Sequence, residues 1–294
     1  MAIDPNFSNV VLLCHFDGPN GSLALADNSS FARTITNASL PLLTSQYKYG
    51  TASLDHGTSA GAATCADSAD WDFGSGQFTV ECWVRISTAI SGQRTVVGQW
   101  GSSNLNWSLG FNGTTLQFLY STTGANSFTV SGTYSPPLNT WVHIAADRDA
   151  SNVVRVYADG VVVASATVAL TFFNSTSLFY ISNDATNSRG FIGLIDDLRV
   201  TKGVARYAGA FTPPTEAFPD SDHYSTLVAQ GLVRETIGAS EGVLQVRGLV
   251  REVIGAPGVG SNQLLVQGLV REVVGVPGTV GGSGPKQYAV TVIT

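Results

Sequence analysis

With 294 residues, 44% of them apolar and only 12% charged, the chain can bury a large core, which excludes a mostly disordered protein. A formal net charge of -6 excludes the concentrated positive surface that a general phosphate-backbone binder needs, so no nucleic-acid partner is expected. The opening Met1-Ala-Ile-Asp-Pro-Asn-Phe-Ser8 lacks the basic stretch and apolar run of a secretory signal, and no apolar span reaches membrane length, so no membrane insertion is expected.

From Val10 to Val200 apolar and polar residues alternate with period two between clusters of Gly, Ser, Thr and Asn, a pattern of short half-buried strands with almost no helix. In Phe78–Ile86 the residues Phe78, Val80, Cys82, Val84 and Ile86 share one face and Thr79, Glu81, Trp83 and Arg85 the other. His143, between Val142 and Ile144 of the next long run, is expected to be a packed strand histidine. Val153–Tyr157 and Val161–Ala164 flank Ala158-Asp159-Gly160, and Asp-Gly favours the two positive φ angles of a tight hairpin. By strict alternation Asp196 shares a face with Ile192, Leu194, Leu198 and Val200, where a carboxylate must be hydrogen-bonded, most simply to turn amides. Cys14, Cys65 and Cys82 form an odd set, expected as free thiols, two of them inside strands.

Taken in order, Leu12-Leu-Cys-His-Phe-Asp-Gly18, Phe78-Thr-Val-Glu-Cys-Trp-Val-Arg85, Trp141-Val-His-Ile-Ala-Ala-Asp-Arg148, Val154-Arg-Val-Tyr-Ala-Asp-Gly160 and Phe191-Ile-Gly-Leu-Ile-Asp-Asp-Leu-Arg199 resemble the laminin-G-like, concanavalin A-like jelly rolls. The resemblance covers the first three quarters of the chain and implies an all-β, two-sheet antiparallel sandwich. Its ending, Val204-Ala-Arg-Tyr207 followed by Phe211-Thr-Pro-Pro214, is similar to the version found in tailed-bacteriophage proteins.

Pro213, Pro214 and Pro219 cannot donate to a ladder, so the sandwich is expected to stop near Phe211, with a linker through Asp220–Tyr224 and a domain boundary at 224. Residues 225–294 carry a repeat: Gln230-Gly-Leu-Val-Arg-Glu-Thr-Ile-Gly238, Arg247-Gly-Leu-Val-Arg-Glu-Val-Ile-Gly255 and Gln267-Gly-Leu-Val-Arg-Glu-Val-Val-Gly275. Such short strands, apolar on both faces, need a partner: the next repeat, a sister subunit or another protein's sheet edge. The expected assembly residues are Gly231, Arg234 and Glu235, then Gly248, Arg251 and Glu252, then Gly268, Arg271 and Glu272. A homo-oligomer follows, most simply a trimer with an intertwined stem.

Catalytic patterns are sparse. Before residue 225 the only glutamates are Glu81 and Glu216, which does not supply the spaced carboxylate pair of a glycosidase. Gly57-Thr-Ser59-Ala-Gly61 matches a nucleophile-elbow spacing but lacks the strand before it and the helix after it. His15, His56, His143 and His223 have no metal-ligand spacing. The family resemblance makes calcium the one cofactor to consider, with Asn183, Asp184 and Asn187 as oxygen ligands and Asp70 and Asp72 as a second acidic loop; turn capping is the competing role. Rings that could stack on a sugar are Trp100, Tyr120 and Tyr134, with Trp100 placed at the surface by its Gly and Ser neighbours and Trp107 in the core.

These features predict a non-enzymatic bacteriophage virion protein, assembled in the host cytoplasm. The jelly roll would project as a tail or fibre adhesin toward a host-surface glycan, and the repeats would anchor it to other virion proteins of capsid or tail. A capsid decoration or head-fibre protein without glycan binding is the alternative, and a glycan-degrading enzyme is the alternative of a different class.

Overall fold

The computed structural model describes residues 3–57 and 61–221 throughout and, beyond them, the strand segments 227–230, 244–247, 253–254, 264–267, 273–274 and 292–293. In chain order the sandwich strands are β1 (Val10–Cys14), β2 (Thr36–Asn37), β3 (Leu42–Leu43), β4 (Ser53–Asp55), β5 (Ala63–Cys65), β6 (Phe78–Ile86), β7 (Gln93–Trp100), β8 (Leu105–Asn112), β9 (Thr115–Tyr120), β10 (Phe128–Thr133), β11 (Trp141–Arg148), β12 (Val153–Ala158), β13 (Val161–Thr167), β14 (Phe179–Ile181) and β15 (Gly193–Lys202). Sheet A runs β13-β12-β11-β6-β15-β4-β3, with β1 also paired to β15; sheet B runs β10-β9-β8-β7-β14-β5-β2. Among the described residues helix is limited to two 3-10 turns, Phe7–Asn9 and Ala69–Trp71. This is the two-sheet sandwich that the alternation predicts and the antiparallel jelly roll that the family resemblance implies.

The two sheets meet through their apolar faces. Phe78, Val80, Cys82, Val84 and Ile86 of β6 all enter the core, and Trp107 stacks with Phe73, which stacks in turn on Phe78. The β12–β13 hairpin turns at Asp159 (φ 47) and Gly160 (φ 78), with Ala158 opposite Val161, as the Asp-Gly pair requires. Cys14, Cys65 and Cys82 are free and buried, and burial pushes the Cys65 thiol up to about 12, which leaves it unreactive at neutral pH.

Strict alternation fails in β15. The register against β6 shifts between Asp196 and Arg199, and Asp197 adopts φ 46, so a bulge inserts an extra residue. Ile195, Leu198 and Val200 therefore share the core face, while Asp196 stands opposite Trp83 on the outer face. The expected partners of Asp196 are present even though its face was misassigned. Its Oδ2 accepts from the amides of Lys48 (2.6 Å) and Tyr49 (3.1 Å), and Oδ1 accepts from Asp197 N.

The chain does not leave the sandwich at Phe211. Pro5–Asp220 form one compact unit, and residues 203–220 lie as a strap over the outer face of sheet A. Ala208 N donates to Asp147 Oδ2, Phe218 N to Asp197 Oδ2, and Tyr49 Oη to Pro214 O. Beneath the strap Glu81 is fully buried. Arg199 donates to its Oε1 from Nε (2.9 Å) and Nη2 (2.8 Å), Tyr207 Oη donates to Oε2, and His143 Nε2 lies 3.3 Å from Oε2. Burial opposes the charge, but Arg199, His143 and Arg206 hold the Glu81 carboxyl well below the usual carboxylate range. His143 is buried on this face, as its strand context predicts.

Residues Met1–Asp4 and Ser221–Thr294 make up a second unit. There β16 (Leu227–Gln230), β17 (Leu244–Arg247), β18 (Val253–Ile254), β19 (Leu264–Gln267), β20 (Val273–Val274) and β21 (Val292–Ile293) pair in parallel, β16-β17-β19-β21 in one sheet and β18-β20 in another. Leu227, Leu244 and Leu264 stand level across the first sheet, the same spacing as the repeat glycines. Each of these three paired strands ends at the residue that opens a repeat, Gln230, Arg247 and Gln267. Gly231, Arg234, Glu235, Gly248, Arg251, Glu252, Gly268, Arg271 and Glu272 lie outside the described residues.

Removing one member of a buried ion pair strands the other, at a cost of about 3–5 kcal/mol. Glu81→Gln should therefore lower the unfolding free energy by that order in urea titrations followed by tryptophan fluorescence. A loss below about 1 kcal/mol would mean that the pair behaves like a solvated one.

Candidate functional site

The outer faces of the two sheets differ. Sheet A is largely sealed by the strap, whereas sheet B carries a depression of about 400 Å³ across β7 to β10. Leu116, Phe118 and Tyr120 of β9 point into the core, so the alternate residues Gln117 and Leu119 face outward. Leu119 packs with Trp100 and Leu105 in a small apolar cluster separate from the main core, and this cluster floors the depression. Phe128, at the edge in β10, stacks on Tyr120 with 5.3 Å between ring centroids and is 42% exposed.

Polar groups complete the lining. Gln93, Asn112 and Gln117 supply amides, and Arg189 reaches in from the loop before β15. Arg189 Nη1 lies 3.3 Å from Asp184 Oδ2, which fixes the guanidinium at the rim. Among the described residues no carboxylate lines the depression. Amide donors and acceptors over an apolar floor suit a hydroxyl-rich ligand with an apolar face. They do not supply the acid and the second carboxylate of glycoside hydrolysis.

The predicted sugar-stacking rings divide. Trp100 does line the depression but is only 4% exposed, so it acts as floor and not as the surface platform expected of it. Its neighbours Leu105 and Leu119 cover it. Tyr120 faces the core and stacks on Phe172, and Tyr134 packs against the core from its edge; neither lines the depression. Trp107 is fully buried, as expected.

The loop proposed for calcium is closed by its own hydrogen bonds. Asn183 Oδ1 accepts from Asp184 N and Arg189 N, and Asn183 Nδ2 donates to Gly61 O. Asp184 Oδ1 accepts from Thr186 N and Oγ1, while Oδ2 faces Arg189; Asn187 is exposed at φ 53. Calcium takes six to eight oxygens, and a guanidinium occupies the direction from which it would approach Asp184. The residues do not fit the ion in this arrangement, and no chemistry is assigned to it.

In the second acidic loop Asp70 pairs with Arg33, and Asp72 accepts from Asn106 Nδ2. Burial, reinforced by Asp67 and opposed by Lys202, pushes Asp72 up to about 6. Among the described residues no group of three or more His, Cys, Asp or Glu could hold a metal. His15 bonds Asp197 at 2.7 Å and His56 bonds Ser182 Oγ at 2.9 Å. Ser59, the centre of the elbow-like spacing, lies outside the described residues.

Gln93, Asn112, Gln117, Phe128 and Arg189 were not singled out by sequence. Gln117 was accessible to the period-two argument, since it alternates with Leu116 and Phe118. Arg189 carries no local signal, because it reaches the depression through a loop.

The strand order is that of a two-sheet antiparallel jelly roll. Residues 56–206 match the Laminin_G_3 family, described as the concanavalin A-like lectin/glucanases superfamily, and the chain belongs to it. No curated protein matches the chain by sequence. Among solved structures it is similar to the binding domain of Paraclostridial Mosquitocidal Protein 1, at 12% identity and TM-score 0.54 over 68% of this chain and 50% of that one. It is also similar to the receptor binding domain of botulinum neurotoxin D, at 14% identity and TM-score 0.54 over 69% and 51%. The binding domain of botulinum neurotoxin DC in complex with SialylT aligns at 14% identity and TM-score 0.51 over 68% and 49%. This chain spans about half the length of each of those chains, and at such identities the likeness is one of fold.

The folded-state pKa of Asp72 lies above its ordinary 3.8, so the native state holds the proton more tightly. The stability this contributes is fully present below the ordinary value and is lost as pH rises through about 6. Thermal unfolding between about pH 4 and pH 7 should show this decline, and Asp72→Asn should flatten it; an unchanged slope in the variant would assign the decline to other groups.

Proposed function

We propose that the sandwich is a non-catalytic carbohydrate-binding module that uses the groove on sheet B. The observation that carries this reading is the lining itself: amides of Gln93, Asn112 and Gln117 and the Arg189 guanidinium over the floor of Trp100, Leu105 and Leu119, with no carboxylate among the described lining residues. Family membership supports the ligand class, since the superfamily description names lectins as well as glucanases. The solved relatives are titled as toxin binding domains, one of them in complex with SialylT. Fold alone does not carry function; the groove is the argument for it here.

The wider setting belongs to the same proposal. The chain is a bacteriophage virion component, with the sandwich presented to a host-surface glycan and the repeats serving as an assembly or anchoring element. The phage-like ending Val204–Pro214 and the stacking of successive repeats support that arrangement. The capsid-decoration alternative keeps the same anchor and drops the glycan.

Screening the protein against immobilised glycans, followed by calorimetry on a hit, tests the groove. Gln117→Ala and Gln93→Ala should each weaken binding by about tenfold, the value of one lost hydrogen bond, with unchanged melting temperature. Full affinity in both variants would remove the groove from the ligand path. For the setting, a gold-tagged antibody to residues 1–220 should decorate tail tips or fibres in electron micrographs. Gold over heads would select the decoration reading, and bare particles would end the virion reading.

A further inference from the structure

Among the described residues of the sandwich, two cations lack a carboxylate, hydroxyl or carbonyl partner. The other Lys and Arg side chains between residues 5 and 220 hydrogen-bond to a carboxylate, a hydroxyl or a backbone carbonyl, as Arg199 does to Glu81 and Arg148 to Gly76. Among the described residues Lys48 and Arg85 make no side-chain hydrogen bond or ion pair. In a chain of net charge -6 their isolation is not forced by a lack of carboxylates.

Arg85 lies on the outer face of sheet A, the opposite sheet from the groove, and Lys48 sits over that face at Trp83. Trp83 and Arg85 alternate along β6 with the core-facing Cys82 and Val84, which spaces them about 7 Å apart along one face. Arg85 is directly opposite Trp141 of β11. Lys48 Nζ sits 3.9 Å from the centroid of the Trp83 ring, and Tyr49 meets that ring edge-on at 5.9 Å. The Lys48 and Tyr49 backbone is pinned by Asp196 Oδ2, which accepts from both amides. Trp141 and Arg85 are partly exposed.

The result is two positive charges without a carboxylate partner, Lys48 over the Trp83 ring and Arg85 in register with Trp141. A guanidinium fork recognises a carboxylate through two parallel hydrogen bonds, an adjacent ammonium adds a point charge, and an indole face takes the C–H face of a pyranose. We propose that Arg85, Lys48 and Trp141 form a second saccharide site, selective for sugars that carry a carboxylate, as uronic acids do. It shares with the groove only the carbohydrate class of ligand and uses none of its residues, so either site can fail alone.

Calorimetric titration of the full chain with trigalacturonate and with its methyl ester tests this, because the ester keeps size and hydroxyls while removing charge. The acid should bind at least about tenfold more tightly than the ester, the value of a charge-assisted hydrogen bond, and the preference should shrink as salt rises. Arg85→Gln should abolish the preference at unchanged melting temperature; Lys48→Gln, which also gives up the ammonium's contact with the Trp83 ring, should abolish it with a small loss of melting temperature, and Gln117→Ala should keep both the preference and the melting temperature. No binding of trigalacturonate, equal binding of acid and ester, or a preference that survives in Arg85→Gln and Lys48→Gln would overturn the proposal. A preference lost in Gln117→Ala would transfer the anion to the groove and overturn it as well.

Discussion

The buried carboxylate of Glu81 organises the outer half of this sandwich. A charge removed from water on a sheet face is tolerated only when opposite charge and hydrogen-bond donors surround it, and here they come from three places: Arg199 on the neighbouring strand, His143 on the other neighbour, and Tyr207 from the strap. The strap is therefore part of the domain. Without it, the outer face of sheet A would expose an ion cluster and the rings of His143 and Tyr157, which Phe211 meets edge-on.

That arrangement divides the surface between the sheets. The strap occupies the middle of sheet A and leaves open the end where Arg85 and Trp141 stand. Sheet B has no such cover, and its small apolar cluster of Trp100, Leu105 and Leu119 is overlaid by amides and a tethered guanidinium instead of by chain. Edge strands are managed by similar economy. β2 and β3, at one end of each sheet, have two residues each, and at the other end Gly132 of β10 lies so close to Val163 of β13 that any side chain would strike its carbonyl. Short or crowded edges of this kind resist unwanted pairing with other chains.

The repeat unit follows a different logic from the sandwich. Its strands are too short to be stable singly, and they pair in parallel with Leu227, Leu244 and Leu264 level. In sequence the extra residues at Gly258–Asn262 fall between Leu244–Arg247 and Leu264–Gln267, which pair in register.

What the sequence determined by itself was whatever depends on local periodicity and turn chemistry. The two-sheet class, the inward face of β6, the Asp159-Gly160 turn, the burial of His143 and Trp107 and the free thiols were all legible, because each is decided by neighbours along one strand. Tertiary structure decided the rest. The bulge at Asp197 reversed the face of Asp196, since a one-residue insertion flips every side chain beyond it and leaves no trace in composition. The strap past Phe211 was read as an exit because its anchors, Glu81, Asp147 and Asp197, lie far away in sequence. Trp100 was placed at the surface by its glycine and serine neighbours, yet Leu105 and Leu119 cover it. The groove joins Gln117 on a strand to Arg189 on a loop, and only folding brings residues so distant along the chain to one place.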